Sequence, residues 1–261
     1  MGVLNVTPDS FSDGGRHASA TAALARAKAM VGEGAAIIDV GGESTRPGAL
    51  PVDEADELRR VLPVIEAIKR ELDCVVSIDT MKPGVMRAAC AAGAELINDV
   101  NALRTPGALE AARDSGAAVC LMHMQGEPRS MQQAPAYADV VEDVCDFLRE
   151  RVGVCIDAGI ARDRLVVDPG FGFGKTLQHN LELLSGIDVI VELGLPVLVG
   201  LSRKSLFGAL TGAPVDERMA SGVAAAALAA WQGARIVRTH DVRATMDALK
   251  VTHAAIKARP A

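Results

Sequence analysis

The chain has 261 residues, 49% of them hydrophobic and 23% charged, with 25 Gly and 12 Pro; this is ordinary globular composition, which excludes disorder and collagen. With 33 acidic against 27 basic residues the net charge is −6, and Phe, Trp and Tyr number only 5, 1 and 1, so nucleic acid is not an expected partner. The 5 cysteines are an odd number with no Cys-x-x-Cys pair, which argues against a disulfide framework and a zinc ribbon.

In chain order the apolar runs that read as strands are Gly2 to Val6, Ala36 to Val40, Val75 to Asp79, Glu95 to Asp99, Ala118 to Met122, Leu165 to Asp168, Val197 to Leu201 and Arg235 to Thr239. Helical periodicity fills Ala20 to Val31, Asp53 to Glu71, Gly84 to Ala92, Tyr137 to Ala158 and Asp241 to Ala258. Near-continuously apolar strands, each followed by a helix, predict a parallel sheet covered on its outer face. Eight such units in this length predict a single (β/α)8 TIM barrel, one domain over residues 1–261. The first residues, Met1-Gly2-Val3-Leu4-Asn5, show no basic stretch ahead of an apolar one. The longest apolar stretch, Val223 to Trp231, is about half of the roughly 20 residues that span a bilayer. A cytoplasmic protein without a membrane partner is expected.

Catalytic groups of such a barrel come from the C-terminal ends of its strands. Those ends read Asn5, Asp39, Asp79, Asn98 with Asp99, His123, Asp168, Ser202 with Arg203 and Lys204, and Arg238 with His240. One polar strand end caps the next helix in most proteins; eight converging on one mouth imply a site. The cations of Ser202-Arg203-Lys204-Ser205 and Arg238-Thr239-His240-Asp241 follow the last two strands, where barrels of this kind bind phosphate, so an anion site is expected there. For Arg203 a surface salt bridge and a direct ligand role both stand.

The glycine-rich run Asp168 to Thr176 fails the Walker spacing, because the position that must be Gly is Pro169. What remains is backbone able to approach a flat ligand, with Phe173 as a stacking group; Lys175 reads either as part of that site or as a solvated loop charge. The loops Asn5 to Gly15 and Gly41 to Gly48 read as mobile lids. Arg46 is placed to fold over an anion, and Asn5 to hold a Mg2+ that arrives with a polyphosphate. His17 is expected in a loop, His179 at a helix start and His253 on the polar face of the last helix; none forms a zinc set.

Taken together, the runs Gly2 to Gly15, Ile37 to Gly48, Ser77-Ile78-Asp79-Thr80, Ile97-Asn98-Asp99, Leu121-Met122-His123-Met124, Asp168 to Lys175, Ser202 to Ser205 and Arg238 to Asp241 resemble the bacterial dihydropteroate synthase family over essentially the whole chain. One departure is the short lead into the first strand, which leaves closure of the barrel floor open. The resemblance implies transfer of 6-hydroxymethyl-7,8-dihydropterin from its diphosphate to p-aminobenzoate, giving 7,8-dihydropteroate and pyrophosphate in folate synthesis. It further implies pterin contacts from Asp79, Asn98, Asp168 and Lys204, and diphosphate contacts from Asn5, Thr45, Arg46, Arg238 and His240. The p-aminobenzoate wall would come from Ser202, Phe173, Lys204 and Pro47, the catalytic set would be Asp79, Lys204 and Asp13, and Mg2+ would bind at Asn5. Sulfonamide competition and a homodimer packed through the later helices follow by the same analogy. Two rival readings are a methyltetrahydrofolate-binding barrel of corrinoid methyl transfer, which has no use for a diphosphate site, and a non-catalytic pterin-binding paralogue.

Overall fold

A computed structural model describes residues 1–6, 15–44, 51–126 and 131–259, with side-chain detail in its second stretch from residue 20 onward. Six strands, β1 (Gly2–Asn5), β2 (Ile37–Gly41), β3 (Val75–Asp79), β4 (Leu96–Asp99), β5 (Ala118–Met122) and β6 (Leu165–Asp168), form one parallel sheet in chain order. The last two, β7 (Leu198–Val199) and β8 (Ile236–Val237), pair separately. Two single parallel bridges, Val167 to Val197 and Gly2 to Thr239, join the pair to both edges of the six-stranded sheet. The ring is thereby closed, and the eight runs are the strands of a (β/α)8 barrel.

Around it pack α1 (Gly15–Gly32), α2 (Glu54–Glu71), α3 (Pro83–Ala91), α4 (Ala108–Ser115), α5 (Val140–Asp157), α6 (Leu177–Ser185), α7 (Ile187–Val191), α8 (Ser205–Thr211), α9 (Met219–Trp231) and α10 (Val242–Lys257). His17, expected in a loop, falls within α1, because the helix starts earlier than its apolar periodicity does. Asp53 caps α2 through the Asp56 amide, and Asp139 caps α5 through those of Val141 and Glu142, satisfying donors that a helix start leaves open. Thr176 and His179 form a reciprocal capping pair at the start of α6.

Alternation along each strand sorts the side chains into two sets. Val76, Ile78, Ile97, Val119, Leu121 and Val167 pack outward against the helices in the main core. Leu96, Cys120, Val166 and Leu198 make a separate cluster inside the ring. Toward the C-terminal ends of the strands this interior turns polar, with Asp39, Ser77, Asp79, Asn98 and Asp168 all buried. No helix among the described residues is long and apolar enough to cross a membrane.

Candidate active site

The strand register sets the first tier of the site. Asn5 stands beside Gly41, Gly41 beside Asp79, and Asp79 beside Asn98, so these residues form one row across β1 to β4. A Cβ at Gly41 would lie in ordinary contact with the Asp79 Cβ at 3.5 Å and Asn5 Oδ1 at 3.7 Å, so the three residues are packed side by side. On the next pair of strands Met122 stands beside Asp168. A cavity opens over this row, lined by Asp79, Asn98, Met122, Asp168, Phe173, Lys204 and Arg238, among others.

Arg238 organises the charges. Its Nε donates to Asp39 Oδ2 at 2.6 Å and its Nη2 to Asp79 Oδ2 at 2.7 Å. A guanidinium has five N–H donors, and these bonds use two. Asn98 Nδ2 donates to the same Asp39 oxygen at 3.2 Å, so Asp39, wholly buried beneath the cavity, orients two of its lining groups. Asp39 was visible in sequence only as one polar strand end among eight; its inward register was the further signal.

Burial drives the Asp79 carboxyl up to about 7, against the pull of Arg238, with Asp39 adding to the rise. Asp168 is also raised by burial, opposed by its bond from the Gly170 amide at 2.7 Å and by the Lys204 charge. Lys204 is pushed down to about 8 by burial, partly offset by Asp168. Its Nζ donates to the Phe171 carbonyl at 2.6 Å and lies 4.2 Å from the centre of the Phe173 ring. The cavity thus presents two carboxylates and a carboxamide to ring N–H donors, a cation to a ring carbonyl, and an aromatic face to a second planar group.

Other expected site residues lie around this centre. Ser202 Oγ accepts the His240 amide at 3.1 Å and stands 3.1 Å from His240 Nδ1, so β7 and β8 present the two as a pair at the rim. Arg203 makes a two-point ion pair with Asp241; of its two readings, the structure places the salt bridge. Lys175 is not a solvated charge: it is 3% exposed. Asp13, Thr45, Arg46 and Pro47, together with residues 7–14 of the first expected lid and 45–48 of the second, lie outside the described residues.

Among the described residues no group of three or more His, Cys, Asp or Glu forms a cation cage. Asn5 offers a single neutral carbonyl oxygen at a strand end. That donor fits a Mg2+ whose remaining ligands are phosphate oxygens and water, and does not fit one held by protein alone.

Comparison with known proteins agrees with this geometry. Residues 1–240 match the family model described as pterin binding enzyme. The chain is 51% identical over 259 residues to the dihydropteroate synthase of Escherichia coli K12, covering 99% of this chain and 92% of that one. The Yersinia pestis dihydropteroate synthase solved with a sulfonamide drug superposes with a TM-score of 0.95 at 50% identity, covering 99% of this chain and 94% of the other. The Xanthomonas albilineans dihydropteroate synthase in complex with 7,8-dihydropteroate gives 0.90 at 50% identity, covering 100% and 94%. The chain belongs to the pterin-binding enzyme family, among its dihydropteroate synthases.

Proposed function

We propose that this protein is a dihydropteroate synthase, a transferase that joins p-aminobenzoate to 6-hydroxymethyl-7,8-dihydropterin diphosphate and releases pyrophosphate. The observation that carries the reading is the meeting of Asp79, Asn98 and Asp168 with Lys204 and Arg238 around one cavity. A pterin edge carries adjacent N–H donors, for which a carboxylate is the matched two-point acceptor, and Asp168 takes that place. Asn98 and Asp79 meet the other ring nitrogens, and Lys204 meets the ring carbonyl. Arg238, His240, Asn5, Thr45 and Arg46 hold the diphosphate. Phe173, Lys204, Ser202 and Pro47 wall the p-aminobenzoate.

The C–O bond at the exocyclic methylene breaks first, and its electron pair leaves with pyrophosphate. The resulting cation is delocalised into the electron-rich ring and stabilised by the carboxyl groups of Asp79 and Asp13. The lone pair of the aromatic amine then forms the C–N bond, and its surplus proton passes to water. Oriented donors on the departing anion lower the barrier by about 3 kcal/mol each. Asn5 would hold a Mg2+ arriving with the diphosphate, which would supply further neutralisation of the leaving group.

A homodimer is part of the reading. Leu210, Met219, Leu228, Trp231 and Val251 are large apolar side chains exposed on α8, α9 and α10, a face suited to a second copy. Sedimentation of a Leu228→Glu variant as monomer beside a dimeric wild type supports this; a monomeric wild type overturns it. The function itself is tested by pyrophosphate release on mixing both substrates. Pterin binding without release favours the non-catalytic reading, and failure of pyrophosphate to raise the melting temperature favours the corrinoid methyl-transfer barrel.

A further inference from the structure

We propose that Lys175 is a positioning residue of the pterin site: its buried ammonium ties the loop after β6 to the end of β5 and thereby holds Asp168 and Phe173 around the substrate. This rests on the functional reading above and assigns a role to a residue outside the cavity lining.

Lys175 Nζ has three neighbours, His123 Nδ1 at 2.8 Å, the Gly170 carbonyl at 3.0 Å and the Phe173 carbonyl at 3.1 Å. An ammonium has three N–H donors and no lone pair, so the three acceptors match it and His123 carries its proton on Nε2. Burial, then the Lys175 charge, pushes His123 down to about 3, which keeps the ring neutral and accepting. Burying a charge is unfavourable unless every donor is used. An apolar side chain of equal length would fill the same space without that cost, but it would take the donor from the Phe173 carbonyl and leave the Gly170 carbonyl with the Phe173 amide alone.

Those carbonyls belong to the segment that shapes the cavity. The Gly170 amide bonds Asp168, and the Gly170 carbonyl also accepts the Phe173 amide at 3.1 Å. Lys175 therefore closes a loop with Asp168 at one end and the Phe173 ring at the other. The loop presses directly on β5: a Cβ on Gly170 would stand 1.9 Å from the His123 carbonyl oxygen. The ammonium also adds positive charge behind Asp168, whose other charged neighbours are Lys204 and Arg238. Burial pushes Lys175 itself down to about 7, with Asp168 opposing the fall and Lys204 adding to it, so it is an ammonium across the acid range; it also faces His123 and, at 6.0 Å, the Tyr137 ring, and His123 faces Arg104.

The test compares wild type with Lys175→Met. Loss of a charged hydrogen-bond set is expected to raise KM for the pterin diphosphate about tenfold to a hundredfold, with a smaller change in kcat. Binding of 6-hydroxymethylpterin, followed by calorimetry across the acid range, should in addition lose affinity from a higher pH downward, because Asp168 has one cation fewer. A purely structural role would weaken binding equally at every pH, and that result, or unchanged affinity, overturns the proposal. If Lys175→Met does not fold, His123→Leu leaves the ammonium two acceptors, and a rise of about threefold to tenfold in the same KM is expected; wild-type KM there overturns it. A wild type that releases no pyrophosphate sinks the functional reading instead, whereas an active wild type with indifferent variants sinks only this inference.

Discussion

Arg238 Nη2 and Asp79 Oδ2 meet at 2.7 Å across the barrel mouth, and the same guanidinium holds Asp39 at 2.6 Å. One cation thus serves two buried carboxylates. Removing it in Arg238→Ala leaves both uncompensated, and a loss of about 3 to 5 kcal/mol in urea denaturation is expected. Activity should fall with it. A loss under about 1 kcal/mol would mean that the pair does not hold the mouth together.

Asp79 titrates near 7 in the fold against an ordinary value of 3.8. Between those values the folded state binds a proton that the unfolded state has released, so stability falls as pH rises through this window. Asp79→Asn removes the dependence. The variant is expected to unfold at higher urea concentration than wild type at neutral pH, with the gap closing as pH is lowered toward the ordinary value, while turnover drops. Wild-type turnover in this variant would end the role of Asp79 in stabilising the cation.

Two glycines with nearly the same φ separate conformational strain from steric exclusion. Gly170 has φ +70 with the His123 carbonyl oxygen 1.9 Å from a built Cβ, and Gly116 has φ +72 with nothing within 4 Å. Gly116→Ala should cost about 1 kcal/mol, from strain alone. Gly170→Ala must displace backbone and is expected to exceed about 4 kcal/mol or to prevent folding. Equal melting temperatures for the two variants would contradict the close packing of the loop on β5.

Arg203 has φ 60, unusual for a residue with a side chain. It is 40% exposed in its side chain and paired to Asp241. An exposed pair of this kind contributes at most about 1 kcal/mol, whereas the backbone conformation suits glycine. Arg203→Gly should therefore be more stable than Arg203→Ala by about 1 kcal/mol. Both variants lack the ion pair, so the reverse order in thermal melts would show that the backbone at 203 carries no strain.

Strand positions were legible because a buried parallel strand is a short apolar run bounded by polar residues. Val75–Asp79, Ala118–Met122 and Leu165–Asp168 carry the expected bounds. The last two strands are shorter than their apolar runs, Leu198–Val199 and Ile236–Val237, since apolarity marks burial and pairing is a separate matter of register. Asp79, Asn98, Asp168, Lys204 and Arg238 could be gathered from strand-end placement alone. The internal position of Lys175 could not, because a lysine in a glycine-rich segment carries no mark of the three acceptors that come from β5 and from a fold of its own loop. The Asp39 connection was hidden in the same way, as its partner Arg238 lies 199 positions away.

The two isolated bridges have a consequence for how the ring breathes. Each joins β7 and β8 to their neighbours through a single residue pair, whereas the other six strands share ladders of three to five pairs. Amide protons of 197–199 and 236–239 are therefore set to exchange ahead of those in β2 to β5. Lys204 and Arg238 stand on this loosely seamed panel, Asp79 and Asp168 on the firm one. A molecule gripped from both panels would act as a staple across the seam, and slower exchange there would record its arrival.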